Sequence, residues 1–216
     1  LSCTGLPVGQ RFGYDLFGFY EQGKTEELYF AEYGVEMPDQ GIALKNGDAV
    51  YVDLNDDKVI DQNDQKPLGY TDNPEITFSV NFNFQWKGLD FTMLWIGADH
   101  VSRQLNGYFR DQFGSTNTSA LTQWVADNSW TESNPDAILP RISFDHRVHN
   151  NRDSQAWVVD SRYLRLKNVE LGYTFTPKKS GAFFNYIRVY ASGNNLLTFA
   201  DFKGNDPEAP GSGLDY

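Results

Sequence analysis

Apolar and polar positions alternate without error through residues 76–86. Ile76, Phe78, Val80, Phe82, Phe84 and Trp86 form one set, and Thr77, Ser79, Asn81, Asn83 and Gln85 the other. A period of two puts these sets on opposite faces of one extended strand. Lys87-Gly88 predicts a tight turn, with a returning strand over 89–96, so the pair reads as a hairpin. A second hairpin is predicted further on. Over 163–175, Val169, Leu171, Tyr173 and Phe175 alternate with Asn168, Glu170, Gly172 and Thr174. Residues 177–181 supply its turn and 187–195 its return. A further strand is expected near 12–20, where glycines and aromatics mix, and a short helix over 120–126. The chain is expected to be all-β.

Between these elements lie two long polar segments, 21–74 and 100–160. Loops of this length are uncommon in compact domains and usually functional. The short turns fall at one end of the strands and the long segments at the other, an asymmetry of transmembrane β-barrels. Alternation by itself also fits a soluble sandwich, with the apolar set turned inward. Three features favour the barrel. The polar face of 76–86 carries no charge, large aromatics dominate the opposite face, and Trp86 stands at the strand end, where an interfacial girdle lies.

Composition narrows the function. The 216 residues include 16 Phe, 12 Tyr and 5 Trp, with a formal net charge of -11. Such an acid excess argues against nucleic acid, whose phosphates select Lys and Arg surfaces. No apolar run approaches the roughly 18 residues of a membrane helix, which leaves barrel strands open. Cys3 is the one cysteine, so no internal disulfide is expected. Leu1-Ser2-Cys3 lacks a preceding basic or apolar segment and is not read as a lipoprotein signal.

Residues 53–64 carry the clearest site chemistry. Counted as a calcium loop, they place Asp53, Asn55, Asp57, Asp61 and Asp64 at positions 1, 3, 5, 9 and 12, with the carbonyl of Val59 at position 7. Ca²⁺ takes six to eight hard oxygens, and this spacing curls them around one point. Lys58 replaces the glycine of position 6, and Asp64 replaces the usual bidentate Glu. A structural Ca²⁺ is therefore expected, with an acidic solvated turn as the plain alternative. Trp124, Trp130 and Trp157 are candidates for stacking on a sugar ring, against simple loop packing. His146 and His149, beside Asp145, are read as a solvated loop rather than a metal pair. No catalytic constellation stands out, and no enzyme is expected.

Several segments together resemble SusC/RagA-type TonB-linked outer-membrane transporters. They are Gly47-Asp48 with the acidic run 51–61, the stretch 67–74 with the hairpin after it, and Trp130 to Arg141. Tyr163 to Tyr173, Ser192 to Phe199 and Asp206 to Pro210 complete the set. The resemblance covers nearly the whole chain in order, and the last three segments are its most specific part. It implies that 1–216 is a C-terminal piece of the family's barrel, about five strands of about 22, with long extracellular loops. It further implies import of oligosaccharides or peptides, energy delivered by TonB, and a SusD-like surface lipoprotein at the mouth. Outer-membrane lipid would then cover Phe78, Val80, Phe82, Phe84 and Trp86, and Thr77, Ser79, Asn81, Asn83 and Gln85 would line the lumen. The location implied is the outer membrane of a Gram-negative bacterium.

Against the family's pattern, the sequence shows no plug domain and no TonB box, and it stops at Tyr216 without a terminal strand. Five strands leave edges that lipid cannot satisfy, so this piece alone is expected not to transport. The competing expectation is a secreted, calcium-stabilised β-sandwich that binds glycan.

Overall fold

The computed structural model describes residues 3–110, 121–145, 147–177 and 183–209. The chain divides into two compact units. One comprises Asn73–Val101 and Ser161–Phe202; the other comprises Leu1–Asp72, Ser102–Asp160 and Lys203–Tyr216.

In chain order the elements are β1 (Arg11–Tyr14), β2 (Leu16–Phe19), α1 (Thr25–Tyr33), β3 (Ala49–Tyr51), β4 (Gln65–Leu68), β5 (Ile76–Trp86) and β6 (Leu89–Asp99). They continue with β7 (Ser102–Gln104), α2 (Gln123–Asn128), α3 (Arg147–Asn150), β8 (Val158–Asp160), β9 (Tyr163–Phe175) and β10 (Ile187–Ala200). The fold is all-β in character, with antiparallel strands and short helices.

The strand unit is one four-stranded sheet in the order β10-β9-β6-β5, antiparallel throughout. Lys87 and Gly88 both have positive φ, 48° and 90°, and Trp86 pairs with Leu89. This two-residue turn matches the right-handed twist of the strands, and its second position favours glycine. Both hairpins form where the alternation predicts, although β6 and β10 run further than expected. The second turn region contains residues 178–182, outside the described residues. Four long strands form this sheet, not five. The strand expected over 12–20 breaks at Asp15 into β1, which pairs with β4, and β2, which pairs with β3.

The second unit corrects the reading of 21–74 and 100–160 as loops. These segments pack around a core of Tyr14, Ala49, Tyr51 and Ile60, with Leu16 against it. Asp48 is fully buried at the start of β3. Its Oδ1 accepts from Arg141 Nε at 2.6 Å and Asn150 Nδ2 at 3.0 Å, and its Oδ2 accepts from the Lys45 amide at 2.8 Å. Asn150 Oδ1 in turn accepts from the Ala49 amide, and the Tyr51 hydroxyl donates to the His149 carbonyl. A buried carboxylate is tolerable only when paired and hydrogen-bonded in this way. His149 is thus buried against β3, not on a solvated loop; His146 lies outside the described residues.

α1 has no counterpart in the sequence reading. Glu26 and Glu27 in its first turn oppose the helix dipole, and Gly34, at φ 73°, closes it by donating to the Phe30 carbonyl. α2 begins where Thr122 accepts from the Val125 amide, three residues inside the expected 120–126 span.

Candidate functional site

The two faces of the four-stranded sheet are chemically distinct across all four strands. Pairing register places Phe78 opposite Gly97, Val80 opposite Trp95, Phe82 opposite Met93 and Phe84 opposite Phe91. The same face continues through Leu164, Leu166, Val169, Leu171 and Tyr173 on β9, and Val189, Leu197 and Phe199 on β10. Most of these side chains are open to the surroundings: Val80 is 58% exposed, Phe82 49%, Leu171 50% and Phe199 58%, while Leu166 is buried. The Phe78 ring lies over Gly97, where any Cβ would collide with it. Trp95 and Phe199 stack with centroids 6.4 Å apart. A sandwich would bury such a face under a second sheet; an apolar face this wide and this exposed is suited to lipid.

The opposite face is mainly polar, with Leu94 and Ile96 of β6 the apolar members opposite Asn81 and Ser79. Thr77, Ser79, Asn81, Asn83 and Gln85 share it with Asp90 and Thr92 of β6, Asn168 and Glu170 of β9, and Arg188 and Asn194 of β10. The side chains hydrogen-bond across strands: Thr92 Oγ1 to Asn83 Oδ1 at 3.0 Å, and Asn168 Nδ2 to Asn194 Oδ1 at 2.9 Å. Arg188 Nη2 reaches both Asp90 Oδ2 and Glu170 Oε1 at 2.5 Å, which links three strands through one guanidinium. Gly172 makes the room. A Cβ there would meet Asp90 Oδ2 at 2.5 Å and Arg188 Nη2 at 2.6 Å.

A register shift preserves this division. Simple alternation backward from Val169 would put Lys167 and Arg165 on the apolar face. Instead Leu94 pairs with Asn168 and Trp95 with Leu166, so β9 carries one extra residue at Lys167. β10 shifts at the same level, between Asn194 and Leu197, where Asn195 has φ 53°. Such a bulge reverses the facing of the residues beyond it. Arg165 therefore joins the polar face, is buried there, and donates to Thr198 Oγ1 at 3.1 Å.

The 53–64 loop is held by its own backbone. Asp53 accepts from the amides of Asn55, Asp56 and Lys58, and Asp57 accepts from the amide of Val59. Asp56 and Lys58 take left-handed φ of 62° and 71°, which is the turn that glycine at position 6 would make easily. Asp61 and Asp64 cap each other's backbone in a capping box. Asp64 is fully buried, and its two oxygens accept from the Leu54 and Asp61 amides. Val59 forms a bridge with Asp39. Among the described residues no three His, Cys, Asp or Glu side chains converge on one point. Asp53, Asn55 and Asp57 remain the residues closest in sequence to a shared oxygen set, with Asn55 Nδ2 on Asp57 Oδ2 at 2.9 Å.

The three tryptophans pack rather than present themselves. Trp157 is 1% exposed and donates to the Asn150 carbonyl at 2.8 Å. Trp130 is 8% exposed, and its ring lies where a Cβ on Gly47 would be. Trp124 is half-buried, edge-on to Phe109 with centroids 5.7 Å apart. Rings buried this far as Trp130 and Trp157 leave no face for a sugar. The polar-face charges Asp90, Glu170, Arg188 and Arg165 were not singled out by the sequence reading. The pattern of β9, charged residues that break an apolar alternation, is the signal that locates Arg165.

Comparison with known proteins fits this geometry. No protein-family profile matches the chain. In sequence it is 29% identical over 213 residues to TonB-dependent receptor P3 of Formosa agariphila, across 95% of this chain and 19% of that protein. It is 33% identical over 174 residues to receptor P26 of the same organism (77% and 17%), and 30% over 206 residues to receptor P39 (90% and 18%). In structure it resembles a chain of the RagAB peptide importer in its open-open state, with TM-score 0.62, 22% identity, and 94% of this chain against 20% of that one. The chain thus spans about a fifth of the length of the relatives it matches. With a lipid-suited face, a polar face and these relatives, the chain belongs to the TonB-dependent receptors, as a segment of their β-barrel in the outer membrane of a Gram-negative bacterium.

Proposed function

We propose that this chain forms part of the wall of an outer-membrane nutrient importer energised through TonB. The observation that carries the proposal is the two-faced sheet: an exposed apolar face continuous over β5, β6, β9 and β10, backed by a hydrogen-bonded polar face. Thr77, Ser79, Asn81, Asn83 and Gln85 line the solute path in this reading. The edge strands β5 and β10 pair with further strands of the complete protein, because lipid cannot satisfy free backbone groups. The imported solute is a peptide or an oligosaccharide. The likeness to a peptide importer supports the first, and the SusC-type resemblance supports the second. A SusD-like surface lipoprotein is the proposed partner at the extracellular side.

Ca²⁺ is part of the proposal in a structural role. Asp53, Asn55, Asp57, Asp61, Asp64 and the Val59 carbonyl would supply hard oxygens. The test of the whole reading is deletion of the parent gene followed by growth on peptide or on glycan as sole carbon source. Loss of growth on one class, restored by the intact gene, is the expected result. Undiminished growth and uptake on both would refute it.

A further inference from the structure

Beyond import, the second unit contains a cavity of about 220 Å³, lined by Tyr29, Tyr33, Val35, Glu36, Pro38, Asp53, Asp56 and Lys58. We propose that it binds an alkyl-stemmed cation, a lysine-type ammonium or an arginine-type guanidinium. The proposal is independent of whether import is confirmed.

The walls suit a stem and the rim suits a charge. Tyr29 and Tyr33 pack with ring centroids 4.8 Å apart; Tyr29 is 1% exposed, whereas Tyr33 is 42% exposed and offers its ring to the cavity. Tyr33, Val35 and Pro38 give apolar and aromatic surface for a methylene chain, and the aromatic ring attracts a cation over its face. Three lining carboxylates stand against one ammonium, Lys58. Asp53 is engaged by backbone amides, but among the described residues no hydrogen bond or ion pair occupies the carboxylate of Glu36 or Asp56. The lining is therefore electronegative on balance. A neutral sugar gains nothing from that field, whereas a cation gains Coulomb energy at the rim while its stem leaves water.

The test uses the intact receptor carrying this chain, in detergent, with Nα-acetyl-lysine amide, Nα-acetyl-norleucine amide and glucose as probes in saturation-transfer NMR. The lysine probe is expected to bind at least about tenfold more tightly than the norleucine probe, and to weaken in high salt. A double variant, Glu36→Gln with Asp56→Asn, is expected to lose that preference about tenfold. Asn accepts the left-handed φ of 62° at position 56, so the turn keeps its shape. Equal binding of the lysine and norleucine probes, lysine binding unchanged by the double variant, or tighter binding of glucose would each overturn the proposal. So would displacement of the lysine probe by one equivalent of Ca²⁺, which would make the pocket a metal site.

Discussion

Arg141 donates its Nε to Oδ1 of Asp48 at 2.6 Å across 93 residues of sequence. Around that bond the Arg141 amide donates to the Gly47 carbonyl at 2.8 Å, and the Trp130 ring covers Gly47, whose φ is 87°. Gly47-Asp48 and the Trp130 to Arg141 segment, distant in sequence, are thus two sides of one contact. Removing Arg141 takes a charged donor from a fully buried carboxylate.

Arg141→Ala is accordingly expected to destabilise the second unit by about 3 kcal/mol, the scale for breaking one side of a buried ion pair. Denaturant titration of the intact receptor, read by protease resistance of 102–160, measures it. Retention of wild-type resistance would show that Asn150 and the Lys45 amide suffice for Asp48.

Acid should act on the same corner. Lys45 Nζ lies 2.5 Å from Asp145 Oδ2, and Arg141 Nη2 lies 3.0 Å from Oδ1. The Lys45 bond, then Arg141, holds the Asp145 carboxyl well below its ordinary 3.8. A lowered folded value contributes stability that is complete above the unfolded value and lost as pH falls through the folded one. Protease resistance of this unit is expected to be flat at neutral pH and to decline below about pH 4. In Asp145→Asn this contribution to the acid limb should be smaller, and an unchanged limb would assign the loss to other carboxylates.

Calcium supplies a third expectation. Saturating Ca²⁺, at about 100 times its dissociation constant, stabilises a folded site by about 2.7 kcal/mol. A higher melting midpoint in Ca²⁺ than in chelator, abolished by Asp57→Ala, is the expected pattern for the 53–64 loop. Identical midpoints would leave the loop as a self-capped turn.

The strands were legible because their signal is local. Ile76–Trp86 and Tyr163–Phe175 have the limits that alternation predicts, and Lys87-Gly88 is the turn expected. The rest depends on distant partners. The 21–74 and 100–160 segments look like loops because their order comes from single long-range contacts, such as Asp48 with Arg141 and Tyr51 with His149, which leave no periodicity. α1 escaped notice because Tyr29, Phe30 and Tyr33 are residues equally at home in strands. Among the site residues, oxygen spacing points to the 53–64 turn, but spacing cannot tell that Asp64 is fully buried.

The bulge at Lys167 makes a sharper test of strand facing. Deleting Lys167 removes the extra residue and leaves Val169, Asn168, Leu166, Arg165 and Leu164 in simple alternation, with Arg165 still on the polar face. The deletion is expected to leave the folded, membrane-inserted fraction of the receptor close to wild type. Severe loss of insertion would mean that the extra residue, and not the alternation of the residues around it, sets the facing of β9.

The central claim is that lipid covers one face of this sheet and water the other. It is tested most directly by single cysteines at 81, 82, 83 and 84 in a Cys3→Ser receptor, inserted in its native outer membrane. The account predicts that Asn81→Cys and Asn83→Cys react with a membrane-impermeant maleimide, while Phe82→Cys and Phe84→Cys are shielded from it and quenched by a lipid-borne probe once labelled. Reaction of all four with the aqueous reagent, or the reverse alternation, would contradict it.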